Sequence, residues 1–479
     1  MPQPITQAQP PLEFIPPQFN PLVFKATQLL LPLGMKKWTA VSQVQATHVD
    51  RLAELYKQFQ SQNVRFLIAF RHPSVDDPLC MAHLLLHLVP QVARQQQIPL
   101  QDFTHVHFMY DRGIPLWAGD WMGWLYSQLG GIPIQRGKVD RLGLRTARDL
   151  FANGQFPLVA APEGATNGHG ELISPLEPGV AQLSFWCVED LLKAGRTETV
   201  FIVPISIQYH YLQPPWKALE ALLNELEGLA GFKPSARDRT TSDFLRSVQE
   251  ETNWSEREVQ LYQRLYGLGE HILTVMETFY TQFYHQSFST APRLEQATSA
   301  ASTAEPLTRR LQALLDVALR VAEQYFDLTP KGSVIDRCRR LEQAGWDWIY
   351  REDIENLESL SPLERSLADA IATEANLRMW HMRMVESFVA VTGMYVMEKP
   401  TVERFAETIL LIWDLITRIQ GGNPFRRPRL GKQTVQMTVG EPISVSDRWD
   451  TYQVSRRSAK QAVADLTQDL QTTLEKMIL

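Results

Sequence analysis

Phe70-Arg71-His72-Pro73-Ser74-Val75-Asp76-Asp77-Pro78 is the stretch on which the reading of this chain turns. The apolar run from Arg65 to Phe70 before it reads as a short buried strand, and Leu79 to Val89 after it as a helix. His72 therefore stands where a strand ends, with the carboxylate of Asp77 five residues on. A turn into a helix folds Asp77 back onto the imidazole. One ring nitrogen then donates to the carboxylate, which fixes the tautomer, and the other is free to take a proton from a substrate hydroxyl. In that chemistry no serine or cysteine of the protein need be acylated. The plainer reading is a turn in which Asp77 caps the next helix and His72 is an exposed loop residue. Chance alone supplies about half a His-x4-Asp match in a chain this long, so the rest of the sequence has to decide.

With 479 residues, 44% hydrophobic and 21% charged, the composition is that of an ordinary globular protein of one large domain or two to three smaller ones. A net charge of -6 gives no bulk attraction to nucleic acid. Cys80, Cys187 and Cys338 lie far apart with no Cys-x-x-Cys, so neither a disulfide framework nor a zinc ribbon is expected, and a reducing, cytoplasmic setting fits. Met1 to Pro21 is rich in Pro and Gln and reads as a flexible arm rather than a signal peptide. No run reaches about 18 uncharged apolar residues, so no membrane span is expected. A chain of this kind meets a membrane by lying on it. The short apolar stretch Ala26 to Met35 reads as a core helix or an interfacial one, the core being the default at this length.

From 65 to 210 the pattern alternates. Strand-like runs fall at 65–70, 104–110, 132–135, 157–161 and 200–209, and helix-like runs at 78–97, 118–129, 139–152 and 178–194. Alternation at this spacing predicts an α/β fold with a mixed, largely parallel sheet flanked by helices. Sites in such sheets gather where strands end.

Three further stations follow His72. Gly130-Gly-Ile-Pro-Ile-Gln-Arg136-Gly137 has a strand ending at Arg136, whose guanidinium suits a phosphate or carboxylate. Arg141, Arg145 and Arg148 read instead as a solvated helix face. Pro157 to Leu172 ends an apolar strand in Pro162-Glu163-Gly164. Here Gly164 lets backbone approach a ligand closely, and Glu163 is placed to accept from substrate hydroxyls or to hold a neighbouring Arg. The fourth, Phe201 to Tyr209, is a buried strand interrupted by Pro204, which argues for a bend or an edge.

In this order and spacing the four stations resemble the glycerol-phosphate and lysophosphatidate acyltransferase family. His72, Ser74 and Asp77 match its Asn-His-x-Ser-x-x-Asp block. Gly131, Ile134 and Arg136 match its Gly-x-Ile-Phe-Ile-x-Arg block. Pro162, Glu163 and Gly164 match Phe-Pro-Glu-Gly-Thr-Arg-Ser, continued by Gly170, Leu172, Gly179 and Ala181, and Val203-Pro204 matches its Val-Pro strand. The chain departs from the pattern at Arg71 (Asn), Pro133 (Phe) and Ala165-Thr166-Asn167 (Thr-Arg-Ser). The lost Arg leaves Arg136 as the main basis for an acceptor phosphate.

The resemblance implies an acyltransferase in which His72 is the base and Asp77 orients it. Ser74, Arg136, Glu163 and Gly164 then serve substrate binding. The donor is an acyl thioester on acyl carrier protein or coenzyme A, with no metal and no further cofactor. The acceptor is a lysophospholipid, 1-acylglycerol 3-phosphate, with glycerol 3-phosphate as runner-up, and the enzyme is peripheral to an anionic membrane surface. Two other classes are weighed. One is a lipid-binding scaffold whose catalysis has lapsed, and the other a metal-dependent hydrolase using His83, His87 and His169. No Gly-x-Ser-x-Gly elbow occurs.

The family's closing strand follows its fourth block directly. Here Thr434 to Ile443 is similar to it, more than two hundred residues later. The expected organisation is an arm and helical segment at 1–62, a first catalytic part at 63–212, a helical insertion at 213–430, and a closing strand and helix at 431–479. The insertion's helical patterns are Trp216–Leu229, Glu256–His285, Leu307–Asp327, Ser361–Met397 and Val402–Gln420, with Ser287 to Ala304 as an internal linker. His105 and His107 alternate on one strand and read as core or interface histidines. The Trp117–Tyr126 cluster and the basic cluster Arg426, Arg427, Arg429 and Lys432 are candidate membrane contacts.

Overall fold

The computed structural model describes residues 5–135, 140–233, 254–288, 306–354, 356–388, 391, 393–424 and 426–478. It divides into two units, Leu12–Leu212 with Lys432–Leu479, and Met1–Pro11 with Gln213–Gly431.

The first unit is a mixed sheet with helices on both faces, as the alternation predicts. Its strands are β1 (Val41–Thr47), β2 (Val64–Phe70), β3 (His107–Asp111), β4 (Ile132–Ile134), β5 (Leu158–Ala160), β6 (Thr199–Tyr211), β7 (Gln433–Val439) and β8 (Ile443–Ser444). They run in the order β1-β7-β6-β2-β5-β3-β4, with β8 also on β6. All neighbours are parallel except β7 and β8, which run against β6. β2 is buried along its whole length, as a central parallel strand must be. Phe66, Ile68 and Phe70 enter a core closed by α1 (Pro21–Trp38), α2 (Val49–Gln60) and α3 (Asp77–His83). Leu67 and Ala69 enter the opposite core.

That second core is closed by two helices after β4 and β5 and by one near the end of the chain. In chain order, α4 (Val89–Gln95), α5 (Ile114–Ala118) and α6 (Asp120–Gln128) come first. Then come α7 (Arg141–Asn153) and α8 (Gly179–Lys193). Phe151 of α7 and Phe185 of α8 pack there with Leu466, Leu470 and Leu474 of the final helix, Arg456–Lys476.

Between α3 and α4 the helix widens into a π turn, Leu84–Leu88, in which Val89 N–H donates to the Leu84 carbonyl. The cause is Pro90, which has no N–H to return to Leu86. The two displaced carbonyls are satisfied from outside. Gln28 Nε2 of α1 donates to Leu86 O at 3.0 Å, and Thr104 Oγ1 donates to Leu85 O at 2.6 Å. Pro204 sits where the edge beside β6 breaks between β7 and β8. There Gly440 N–H donates to Pro204 O at 2.9 Å, and a Cβ on Gly440 would meet the proline ring at 2.7 Å.

Three expectations change. The described part of the N-terminal arm is tied down: Gln18 and Asn20 N–H donate to Ser127 and Gln128 carbonyls, while in the other unit Ala8 N–H donates to Asp369. β1 was not anticipated, because an edge strand of mostly polar residues carries little periodic signal. Ala26 to Met35 is only half core. Phe24, Leu31 and Met35 are buried, but Leu22, Leu29, Leu30 and Leu33 are exposed.

The chain leaves the sheet after β6 and returns at β7, with Leu212 N–H donating to Lys432 O at 3.0 Å. The intervening unit is helical among the described residues. Its helices are α9 (Trp216–Ala230), α10 (Glu256–Tyr284), α11 (Pro306–Tyr325), α12 (Val334–Ile349), α13 (Pro362–Glu386), α14 (Tyr395–Glu398) and α15 (Val402–Ile419). Capping boxes at Ser255, Ser333 and Ser361 start α10, α12 and α13. α12 was not foreseen, and the expected linker lies largely outside the described residues. Among the described residues no helix is long and apolar enough to cross a membrane.

Candidate active site

β2 and β5 are parallel neighbours with Ala69 beside Ala160, so the loops that follow them leave the same end of the sheet side by side. The first carries His72 and the second Glu163. On the other flank β6 outruns β2. Arg71 N–H still donates to Ile205 O, but Ser206 to Tyr211 continue past it to pair with β7. That overhang brings Tyr209 over the start of α3.

Asp77 is fully buried at the first turn of α3, where the helix N-terminus favours an anion. Its Oδ2 accepts from His72 Nδ1 at 2.9 Å and from Ser74 N–H at 2.8 Å, and its Oδ1 accepts from Tyr209 Oη at 2.5 Å. With Nδ1 donating to the carboxylate, His72 Nε2 presents its lone pair, and Thr166 Oγ1 donates to it at 3.2 Å. The imidazole is one-fifth exposed, with access for a substrate, while its partner carboxylate has none. Burial and the adjacent Asp77 charge push the Tyr209 phenol well above its usual range, so it remains a donor. Burial does the same to the neighbouring Cys80 thiol, which is therefore no thiolate nucleophile.

Glu163 was expected to accept from substrate hydroxyls or to hold a neighbouring Arg. It lies inside the loop. One oxygen accepts from His72 N–H at 2.9 Å, and the other from Asn167 Nδ2 at 2.8 Å and Ser174 N–H at 2.9 Å. Burial raises its carboxyl pKa, opposed chiefly by the charge of Arg71 and the His72 N–H bond. Glu163 thus ties the two loops together and fixes the backbone of the base itself. Gly164 holds φ +71° in the turn after it, which needs glycine. Ser74 shapes the turn before Asp77, its hydroxyl accepting from Asp76 N–H at 3.2 Å.

The departures from the family pattern acquire a reason. Arg71 is fully buried, and its guanidinium donates to the carbonyls of Gly170, His169 and Leu172, which closes the Glu163 loop from beneath. Asn167 crosses the same loop, bonding both Glu163 and Leu172 O, and Thr166 faces the base. Arg136, with Gly137, Lys138 and Val139, lies outside the described residues. The flanks of that segment are held by Asp140, which caps α7, accepts from Gln135 N–H and pairs with Arg112.

Tyr209, Thr166, Asn167 and Arg71 carry structural weight that no sequence pattern assigned to them. Several other expectations resolve plainly. His105 and His107 are buried and donate to the carbonyls of Leu129 and Gly130. His83 and His87 lie 5.1 Å apart with tilted rings on the π-turn helix, and His169 is buried against Asn167 O. Among the described residues no three His, Cys, Asp or Glu side chains converge as metal ligands. Arg148 forms a bidentate pair with Asp190 rather than a free basic face. Arg427 is clamped to Asp414, while Arg426, Arg429 and Lys432 of that cluster are exposed. The Trp117 side chain lies outside the description, Trp121 and Trp124 are exposed, and Tyr126 packs on Phe108 and Tyr110.

The arrangement is an imidazole with Nδ1 on a buried carboxylate and Nε2 on a hydroxyl. Among curated proteins the chain finds no match. Residues 52–208, which hold His72, Asp77, Glu163 and Thr166, match the family model described as Acyltransferase.

Proposed function

We propose that this enzyme moves a fatty acyl group from an acyl thioester, on acyl carrier protein or coenzyme A, to the free hydroxyl of 1-acylglycerol 3-phosphate. The observation that carries the reading is the pair of contacts on one imidazole, Asp77 at Nδ1 and a hydroxyl at Nε2. Thr166 Oγ1 occupies the seat an acceptor hydroxyl needs. When an acceptor takes that seat, His72 Nε2 removes its proton as the oxygen attacks the thioester carbonyl. The tetrahedral adduct collapses, the carbon–sulfur bond breaks, and the thiolate leaves with the proton from His72. Arg136 is assigned the acceptor phosphate on its position after β4. Glycerol 3-phosphate is the second acceptor to test, and a scaffold that binds lipid without turnover is the non-enzymatic alternative.

A lipid acceptor requires access to a bilayer. α1 supports a peripheral placement, with Leu22, Leu29, Leu30, Leu33 and Trp38 exposed among Lys25, Lys36 and Lys37 and no acidic residue in the helix. It packs on α3 and α6, and α6 exposes Trp121 and Trp124. The deciding experiment is acyl transfer by the purified protein across acceptors with and without phosphate, using both thioesters. His72→Ala should lose about 10²–10⁴ in rate while staying folded, the usual worth of a positioned base. Near-normal transfer by folded His72→Ala would sink the mechanism. Transfer only to acceptors lacking phosphate would remove Arg136 from its role.

A further inference from the structure

We propose that the helical unit is a binding domain for one long hydrocarbon chain, seated in a cavity inside it. The inference rests on the cavity alone and stands whether or not His72 turns over a substrate. The cavity encloses about 140 Å³, close to the roughly 150 Å³ of an apolar cavity that stays dry and takes in hydrocarbon guests. α10, α11, the end of α13 and α15 surround it.

Shape argues for a chain rather than a compact ligand. α10 contributes from Tyr262 to Tyr280 along a single face, which at about 1.5 Å per residue is roughly 27 Å of wall. α11 lines it in parallel from Leu307 to Ala318. Chemistry argues for hydrocarbon. The lining is leucine, isoleucine, valine, methionine and aromatic rings, and several hydroxyls among them are engaged elsewhere. Tyr280 bonds His381 Nδ1 at 2.8 Å, Thr408 donates to Arg404 O at 2.8 Å, and Tyr395 donates to Glu407 at 2.5 Å. A polar head would gain little inside and belongs at the mouth.

Two further observations separate this space from a loosely filled core. Protein interiors pack as tightly as organic crystals, and apolar space left unfilled costs its host stability. Gly269 stands mid-helix in α10 on the cavity wall, where a Cβ would meet nothing within 4 Å. Crowding does not require a glycine there, and glycine disfavours helix, so the residue keeps the space open. Met276 and Met384 add side chains that adapt to a flexible guest.

The test uses the full chain and parinaric acid, a naturally fluorescent long-chain fatty acid. Wild type and His72→Ala should bind it alike, which separates this result from any failure of acyl transfer. Gly269→Phe fills the cavity and should weaken binding at least about tenfold while melting no lower than wild type. Competition with palmitate, palmitoyl-coenzyme A and 1-palmitoyl lysophosphatidate tells which head the chain carries, and displacement by any one supports the proposal. Crosslinking with a photoreactive long-chain fatty acid, mapped by mass spectrometry, needs no variant and should label peptides from α10 or α11. Absent binding, displacement by none of the three, unweakened binding by folded Gly269→Phe, or labelling confined to the sheet unit would each overturn it.

Discussion

Removing one oxygen from Tyr209 tests whether the second contact to Asp77 matters to the site. In Tyr209→Phe the ring keeps its place in the core, but Asp77 Oδ1 loses a donor at 2.5 Å. Asp77 is fully buried, so water cannot replace that donor without rearrangement. A hydrogen bond to a charged group is worth about 1.5–3 kcal/mol, and the geometry places this one in the upper half, about 2–3 kcal/mol. The loss divides between two readouts. Stability of the sheet unit should fall by about that amount in urea unfolding. Turnover should fall about tenfold with the acceptor KM unchanged, because Tyr209 lies behind the carboxylate and orients His72 only through it. A double-mutant cycle with Asp77→Asn isolates the contact, and its coupling should exceed about 1 kcal/mol. Coupling below about 0.5 kcal/mol, or a raised KM at full turnover, would refute the assignment of Tyr209 as a positioning residue.

Other perturbations read other parts of the structure. Thr166→Ala vacates the seat at Nε2 without touching the base, so acyl transfer should stay within about tenfold of wild type. Loss as deep as in His72→Ala would instead make Thr166 itself the acylated nucleophile. Burial holds His105 and His381 neutral, with pKa values lowered from 6.5 to about 4. Their contribution is complete above pH 6.5 and is lost as pH falls toward 4, on the order of 3 kcal/mol for each. Urea unfolding of His105→Gln across that window should show a shallower acid slope than wild type, and an equal slope would count against the burial argument. Replacing Leu29, Leu30 and Leu33 by Ser should cut vesicle binding on the order of 10²-fold without altering its salt dependence, whereas Lys36 and Lys37 carry the salt-sensitive part. Co-sedimentation unchanged by the leucine substitutions would remove α1 as the membrane face.

The strands and turns of the sheet unit were legible because each station couples an apolar strand to a break that the backbone cannot avoid. Pro162-Glu163-Gly164 ends β5 for reasons visible locally: a proline, then a glycine that takes positive φ. The Asp77 contact to His72 was legible for the same reason, as a five-residue return within one turn. What was not legible is what joins distant segments. Tyr209 reaches Asp77 across 132 residues, and Thr166 reaches His72 across 94. Neither has a spacing to read. Glu163 read as accepting from substrate hydroxyls or holding a neighbouring Arg, because a carboxylate beside a glycine-rich loop suits either role. Only the converging N–H groups of His72 and Ser174 reveal that its acceptor capacity is spent inside the protein. β1 escaped because an edge strand buries one side only, and the arm because its order comes from partners elsewhere in the chain.

The insertion bears on the site through topology. Asp77 depends on Tyr209, and Tyr209 stands on the part of β6 that extends beyond β2. From Ser206 onward β7 alone among the described strands pairs with β6, residue by residue, Ser206 with Thr438 through Tyr211 with Gln433. β7 enters the chain only after Gln213–Gly431 has been traversed. Residues 52–208 match the family model yet stop one residue short of Tyr209, and they do not hold the strand that supports it. The base and its carboxylate are therefore local, while the rigidity of the carboxylate is not. A free overhang of β6 would expose its N–H and C=O groups to water and let the tyrosine swing. Leu212 N–H also donates to Lys432 O, so the chain leaves and rejoins the sheet unit immediately beside that pairing.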